Sequence, residues 1–212
     1  MDRFTQRIFP PDQRKILTAS DDMTAKLWQI DGTLLQTFSH EGEVWSAVFS
    51  PDGSKILTAA SPYSAILWSA RGDSLTQFDH DERVWRAVFA PDGQQILTAS
   101  FDGTARRWSI TGDSLATYSH DSFFIIWQAN FSSDGSRIAT ASEDTKARLW
   151  TLAGDTLTTF MHSGSVQRAV FSKDGLAIWT ASEDNTAIGW RTAPGIHEWL
   201  RRTRFSQMAP SK

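Results

Sequence analysis

Phe49-Ser-Pro-Asp-Gly53 returns as Phe89-Ala-Pro-Asp-Gly93, Phe131-Ser-Ser-Asp-Gly135 and Phe171-Ser-Lys-Asp-Gly175. A worn copy, Phe9-Pro-Pro-Asp-Gln13, precedes them. The Phe positions 9, 49, 89, 131 and 171 differ by 40, 40, 42 and 40 residues. A second residue type keeps the same step, because Trp28, Trp68, Trp108, Trp150 and Trp190 also differ by 40, 40, 42 and 40. Two residue types sharing one period mark an internal repeat, and a repeat has to be recognised before any secondary structure is assigned.

Working outward from the second copy, four apolar-rich runs fill one period. They are Val44 to Phe49, Ile56 to Ala59, Ala65 to Trp68 and Leu75 to Phe78. Pro51-Asp52-Gly53 and Gly72-Asp73 separate them as turns, with Gly free to take positive φ. Four short strands in a period of about 40 residues are the pattern of a propeller blade. The longer helical runs of a βαβ unit are absent from the pattern. The expected fold is all-β, a β-propeller of about five four-stranded blades over residues 1–192, with a tail over 193–212.

Composition narrows the function classes. Lys and Arg number 21 against 24 Asp and Glu, a formal charge of −3, which gives no electrostatic pull toward phosphate backbones or anionic lipid. The chain has no Cys, which excludes disulfides, thiol nucleophiles and thiolate metal sites and fits a reducing compartment. Met1 to Arg7 carries no apolar signal core, and no apolar run approaches the roughly 20 residues of a membrane helix. The expectation is a cytoplasmic protein with no nucleic-acid or membrane partner and no cofactor.

The repeat resembles the WD-repeat family. That resemblance implies a buried relay in each blade: a Trp donating to a Ser or Thr hydroxyl, a His tied to the hydroxyl, and an Asp accepting from the other His nitrogen. Three copies carry the whole set: His80, Ser100, Asp102 and Trp108; His120, Ser142, Asp144 and Trp150; His162, Ser182, Asp184 and Trp190. The first copy has Ser20, Asp22 and Trp28 but begins too late for a His. The second has His40 and Trp68, with Ala60 and Pro62 at the hydroxyl and acid positions, so no complete relay is expected there. The Asp that follows the Trp in the family is Gln29, Ser69, Ser109, Thr151 and Arg191 here, so the dipeptide that names the family never occurs.

Five inner-strand sets face four outer strands, near Leu34–Phe38, Leu75–Phe78, Leu115–Tyr118 and Leu157–Phe160. The family usually closes with seven or eight blades, so an incompletely closed ring is expected, with an edge left for self-association; a small closed five-bladed ring and a portion of a larger ring are the alternatives. In the tail, Ile196, Trp199 and Leu200 sit at i, i+3 and i+4 beside Arg201, Arg202 and Arg204, which reads as a short helix followed by disorder. This ending resembles that of many bacterial WD-repeat proteins.

Catalytic readings are weak. His40, His80, His120 and His162 recur once per blade, too far apart around a ring to converge on one metal. No Gly-x-Ser-x-Gly elbow activates a serine. Arg71-Gly72-Asp73 occupies an ordinary hairpin position. A central-channel enzyme would need convergent acids or histidines, whereas the inner runs show Val44, Ala47, Val48, Val84 and Ala87.

In the resembling family, partners dock near the His loops, at positions three and five after each His and just before the relay Asp. Carried over, these are Glu43 and Trp45, Arg83 and Trp85, Ile125 and Trp127 after a two-residue insertion, and Phe101 in the turn. The fifth copy offers Ser165 and Gln167, and the other turn positions are Asp21, Ser61, Glu143 and Glu183. Trp and Arg are the commonest interface anchors. The rival reading wedges the Trp between blades as core. The functional expectation is a non-enzymatic scaffold for a protein or peptide, with a sensory portion of a longer signalling protein as the second reading.

Overall fold

The computed structural model describes residues 4–8, 14–120, 124–192 and 203–204, the first and last of these as backbone strands alone. It contains five four-stranded antiparallel sheets whose strands follow chain order, and no helix among the described residues. Blade 1 is β1 (Phe4–Ile8), β2 (Lys15–Ser20), β3 (Thr24–Gln29) and β4 (Leu34–Ser39). Blade 2 is β5 (Val44–Phe49), β6 (Lys55–Ala60), β7 (Ser64–Ser69) and β8 (Ser74–Asp79). Blade 3 is β9 (Val84–Phe89), β10 (Gln95–Ser100), β11 (Thr104–Ser109) and β12 (Ser114–Ser119). Blade 4 is β13 (Ile126–Phe131), β14 (Arg137–Ser142), β15 (Lys146–Thr151) and β16 (Thr156–Met161). Blade 5 is β17 (Val166–Phe171), β18 (Ala177–Ser182), β19 (Thr186–Arg191) and the two-residue β20 (Thr203–Arg204).

The recurring Asp-Gly string makes the first hairpin of each blade. Asp52 Oδ1 accepts the Ser54 N–H at 3.0 Å and the Ser50 hydroxyl at 2.6 Å, and Ser50 Oγ in turn accepts the Lys55 N–H at 2.9 Å. Gly53 sits at φ 71°, a conformation that only Gly adopts without steric cost. The same bonds recur at Asp134 with Ser132 and Ser136, which is why the string survives from copy to copy.

Blades pack face to face through four apolar clusters. The second is typical: Leu57, Ala59, Ala65, Leu67 and Phe78 on the back of blade 2 meet Val84, Ala87, Ile96 and Trp108 on the front of blade 3. All nine side chains are at least nine-tenths buried. The alternation of inward and outward residues along each strand supplies both faces of a blade from one sequence pattern. Contacts run from blade 1 to 2, 2 to 3, 3 to 4 and 4 to 5, and among the described residues none of comparable extent joins blade 5 to blade 1.

The tail behaves differently from the sequence expectation. Thr203 and Arg204 pair antiparallel with Ala187 and Thr186 of β19, so the tail begins the outer strand that the repeat pattern lacked. The short helix expected around Ile196 to Leu200 lies outside the described residues, as do Phe123 and the worn turn at 9–13.

Candidate functional site

Two constellations are candidates: the polar relay inside each blade and the aromatic residues at the blade ends. In blade 3 the Trp108 indole N–H donates to Thr98 Oγ1 at 2.9 Å. The same Oγ1 lies 2.6 Å from His80 Nε2, and His80 Nδ1 lies 2.8 Å from Asp102 Oδ2. A carboxylate can only accept, so Nδ1 carries the proton and the Thr98 hydroxyl donates to Nε2. Blade 4 repeats the set with Thr140, at 2.9 Å from Trp150 Nε1 and 2.6 Å from His120 Nε2, with His120 Nδ1 at 2.9 Å from Asp144. Blade 5 repeats it with Thr180, at 2.7 Å from both Trp190 Nε1 and His162 Nε2, with Asp184 at 3.1 Å from His162.

The relay hydroxyl is therefore threonine, and the assignment of Ser100, Ser142 and Ser182 to it is corrected. Residues two apart on a strand share a face, so Thr98 and Ser100 point the same way. Thr98 alone is in register to reach Trp108, which pairs with Ile96 across the hairpin. Ser100 works at the strand end instead. Its Oγ lies 3.0 Å from the Glu82 and Arg83 carbonyls and accepts the Asp102 N–H at 3.1 Å, which fixes the turn that aims the relay acid. Ser142 and Ser182 accept the Asp144 and Asp184 N–H groups in the same way. The missed signal was in the sequence: Thr18, Thr58, Thr98, Thr140 and Thr180 fill the position in all five copies, while the Ser position is Ala60 in the second.

Blade 2 keeps only half of the network. Trp68 still donates to Thr58 at 2.8 Å, but His40 Nε2 is buried without a hydrogen-bond partner. Burial with nothing to offset it lowers the His40 pKa to about 4. In blade 3 burial also lowers the His80 pKa, and its bond to Asp102 opposes the shift. Burial works to raise the Asp102 pKa, yet hydrogen bonds from His80 and Thr104 outweigh it and hold the carboxyl well below the usual range. Thr98 and Ser100 are fully buried and fully engaged, so neither is offered to a substrate as a nucleophile.

The second constellation lies at the blade ends. The inner-strand register slips by one residue at Trp45, Trp85 and Trp127, and at Gln167 in blade 5. Such a bulge turns the extra residue out of the pleat. The three indoles and Phe101 meet across blades 2, 3 and 4. Trp45 and Trp85 are 4.8 Å apart, Trp85 and Trp127 5.7 Å, and Phe101 is 5.8 Å from both Trp85 and Trp127. All four side chains are half-buried. Trp127 Nε1 donates to Ser165 of blade 5 at 3.1 Å, and Gln167 continues the row through Glu183 at 3.0 Å. Around the strip, Arg83 is exposed, Glu43 and Ile125 are half-buried, and the Ile125 N–H points to Glu143 at 3.4 Å. The sequence-derived partner residues thus lie on one continuous strip, and the Trp are neither loose on the surface nor sealed in the core.

Comparison with known proteins completes the picture. A family model described as WD domain, G-beta repeat, matches residues 5–29, 32–69, 72–109 and 112–151. The chain belongs to the WD40 repeat family. The four matched WD40 repeats cover well over half of the chain, and the fifth blade lies beyond the match. The chain is also similar to a "U4/U6 small nuclear ribonucleoprotein PRP4-like protein" of Arabidopsis thaliana, 57% identical over 37 residues. That stretch is 18% of this chain and 7% of the plant protein, about one repeat. The bacterial likeness of the tail finds no support in this plant relative. WD40 domains typically act as protein-interaction scaffolds, and no group of three His, Asp or Glu is placed to hold a metal among the described residues.

Proposed function

We propose that this WD40 chain is a non-enzymatic scaffold that seats a peptide or protein on the strip formed by Trp45, Trp85, Phe101 and Trp127. The continuity of the four rings across three blades carries the reading. Half-buried aromatic rings offer large contact area at little entropic cost, with rigid positions fixed by the blades below. Glu43, Arg83 and Ile125 rim the strip as contacts that set specificity. The chain's charge of −3 gives it no general pull on nucleic acid, so the partner is protein even though a relative bears a ribonucleoprotein name. With no Cys, the chain suits the cytoplasm or another reducing compartment.

The test is selection of peptides from a random display library on the intact chain, followed by titration against Trp85→Ala and Arg83→Glu. Arg83 is exposed, so its substitution leaves packing alone. Selected peptides that bind the parent and lose about tenfold or more on both variants, at unchanged circular dichroism, support the strip. Peptides that bind all three chains equally, or a selection that yields no binder, refute it.

A further inference from the structure

The turn between the second and third strands changes character along the strip. It carries Phe101 in blade 3, Glu143 in blade 4 and Glu183 in blade 5. One backbone bond holds each of them at the end of its own inner strand. The Phe101 N–H donates to the Arg83 carbonyl, that of Glu143 to Ile125 and that of Glu183 to Ser165, all at 2.9 Å. Phe101 uses this place to meet Trp85 and Trp127. Glu143 and Glu183 use it to bring charge to the other side of Trp127. Glu143 Oε2 lies 3.4 Å from the N–H of Ile125, two residues before Trp127. On the blade 5 side, the Trp127 indole N–H donates to Ser165 Oγ at 3.1 Å, and Gln167 Nε2 lies 3.1 Å from the same Oγ and 3.0 Å from Glu183 Oε1. Trp127 is half-buried, and both glutamates are exposed.

Neither glutamate has a cation. Among the described residues no ion pair reaches Glu143 or Glu183, whereas the acid next to each in the chain is engaged, Asp144 by His120 at 2.9 Å and Asp184 by His162 at 3.1 Å. Blade 4 itself shows how an indole and a carboxylate share a cation: Arg148 Cζ lies 5.8 Å from the Trp150 ring while its Nη2 lies 3.8 Å from Asp144 Oδ2. A guanidinium or ammonium is attracted both by the face of an indole and by a carboxylate beside it. At Trp127 the indole and two carboxylates are present, and the cation is not.

We infer that Trp127, Glu143 and Glu183 form a subsite for a basic side chain, Arg or Lys, of the peptide or protein partner. The inference rests on the docking strip proposed above and adds the charge that the strip selects. A basic side chain meets an aromatic face and two acids there, and an acidic one meets only like charge. Arg83, exposed at the rim of blade 3, repels the same cation and so confines it to blades 4 and 5. The subsite thereby orients the partner: its basic residue lies at Trp127, and its apolar residues continue over Phe101, Trp85 and Trp45.

The probe is the tightest peptide selected on the intact chain from a display library with equal shares of acidic and basic residues. It is titrated by calorimetry against the parent, against Glu143→Gln with Glu183→Gln, and against Asp73→Asn with Asp155→Asn. The Gln pair removes two charges and keeps an oxygen facing Gln167 Nε2. The Asn pair removes the same net charge at exposed turns of the opposite blade end. The expected peptide carries Arg or Lys and binds about fivefold or more weakly to the Gln pair, with the Asn pair unchanged. Replacing its basic residue by Gln should cost as much on the parent and little further on the Gln pair. A peptide that needs Trp85 but is indifferent to the Gln pair, or that weakens equally on the Asn pair, overturns the subsite and leaves the strip standing. A selection that yields no binder overturns both.

Discussion

Blades 2 and 3 share the framework residues of the repeat, yet blade 3 holds its histidine between two partners and blade 2 leaves His40 Nε2 with none. In blade 3, His80 is fixed by Asp102 on one side and Thr98 on the other. In blade 2, Pro62 stands where the acid would be, and His40 lies 5.4 Å from the Trp68 ring with its Nε2 unpaired. The Trp–Thr bond is the same in both, 2.8 Å in blade 2 and 2.9 Å in blade 3. The central strands β6 and β10 also share one burial pattern. The comparison separates two roles. Apolar packing and the Trp–Thr bond form the blade, while the histidine joins the network only in the blades that keep the acid.

The largest expected effect comes from removing the hub. Thr98→Val strands both Trp108 Nε1 and His80 Nε2 and should cost about 2–4 kcal/mol, whereas Thr58→Val strands only Trp68 Nε1 and should cost about 1–2 kcal/mol. Denaturant midpoints at unchanged slope measure both, and equal costs would break the comparison. The pH response comes next. The folded His40 pKa of about 4 lies below its ordinary 6.5, so the unfolded chain binds the proton first. Its contribution is whole above pH 6.5 and is lost as pH falls toward 4, by about 3 kcal/mol at the lower limit. His40→Leu should flatten melting curves across that window, and an unchanged pH dependence would show that His40 is not held neutral by burial.

Asp102→Ala should cost about 1–3 kcal/mol, because the His80 Nδ1 proton loses its acceptor in a buried site. Asp102 is held below its ordinary value, so its own contribution is present above about pH 4 and fades as pH falls further. The smallest effect is expected from Pro62→Asp, within about 0.5 kcal/mol of the parent, since blade 2 is already packed without an acid. A gain of several degrees in melting temperature would instead show that the missing carboxylate alone unseats His40.

Much of this was legible in the sequence because it is periodic. The Phe and Trp ladders and the Asp-Gly turns place the strands, since each rests on local chemistry that repeats with the blade. The relay hydroxyl is not legible in the sequence, because Thr98 and Ser100 share a strand face and only the hairpin register, with Ile96 opposite Trp108, decides between them. The partner strip was nominated by position, but its continuity depends on bulges at Trp45, Trp85 and Trp127 that no local composition announces.

A pair of double-mutant cycles tests the division of roles between packing and relay most directly. His80→Leu is combined with Thr98→Val in blade 3, and His40→Leu with Thr58→Val in blade 2, with stability measured by denaturant unfolding. A coupling of about 1–2 kcal/mol in blade 3 and one within about 0.3 kcal/mol of zero in blade 2 is the expected result. Couplings of equal size in the two blades would contradict it, because they would show that His40 reaches Thr58 in solution without an acid to hold it there.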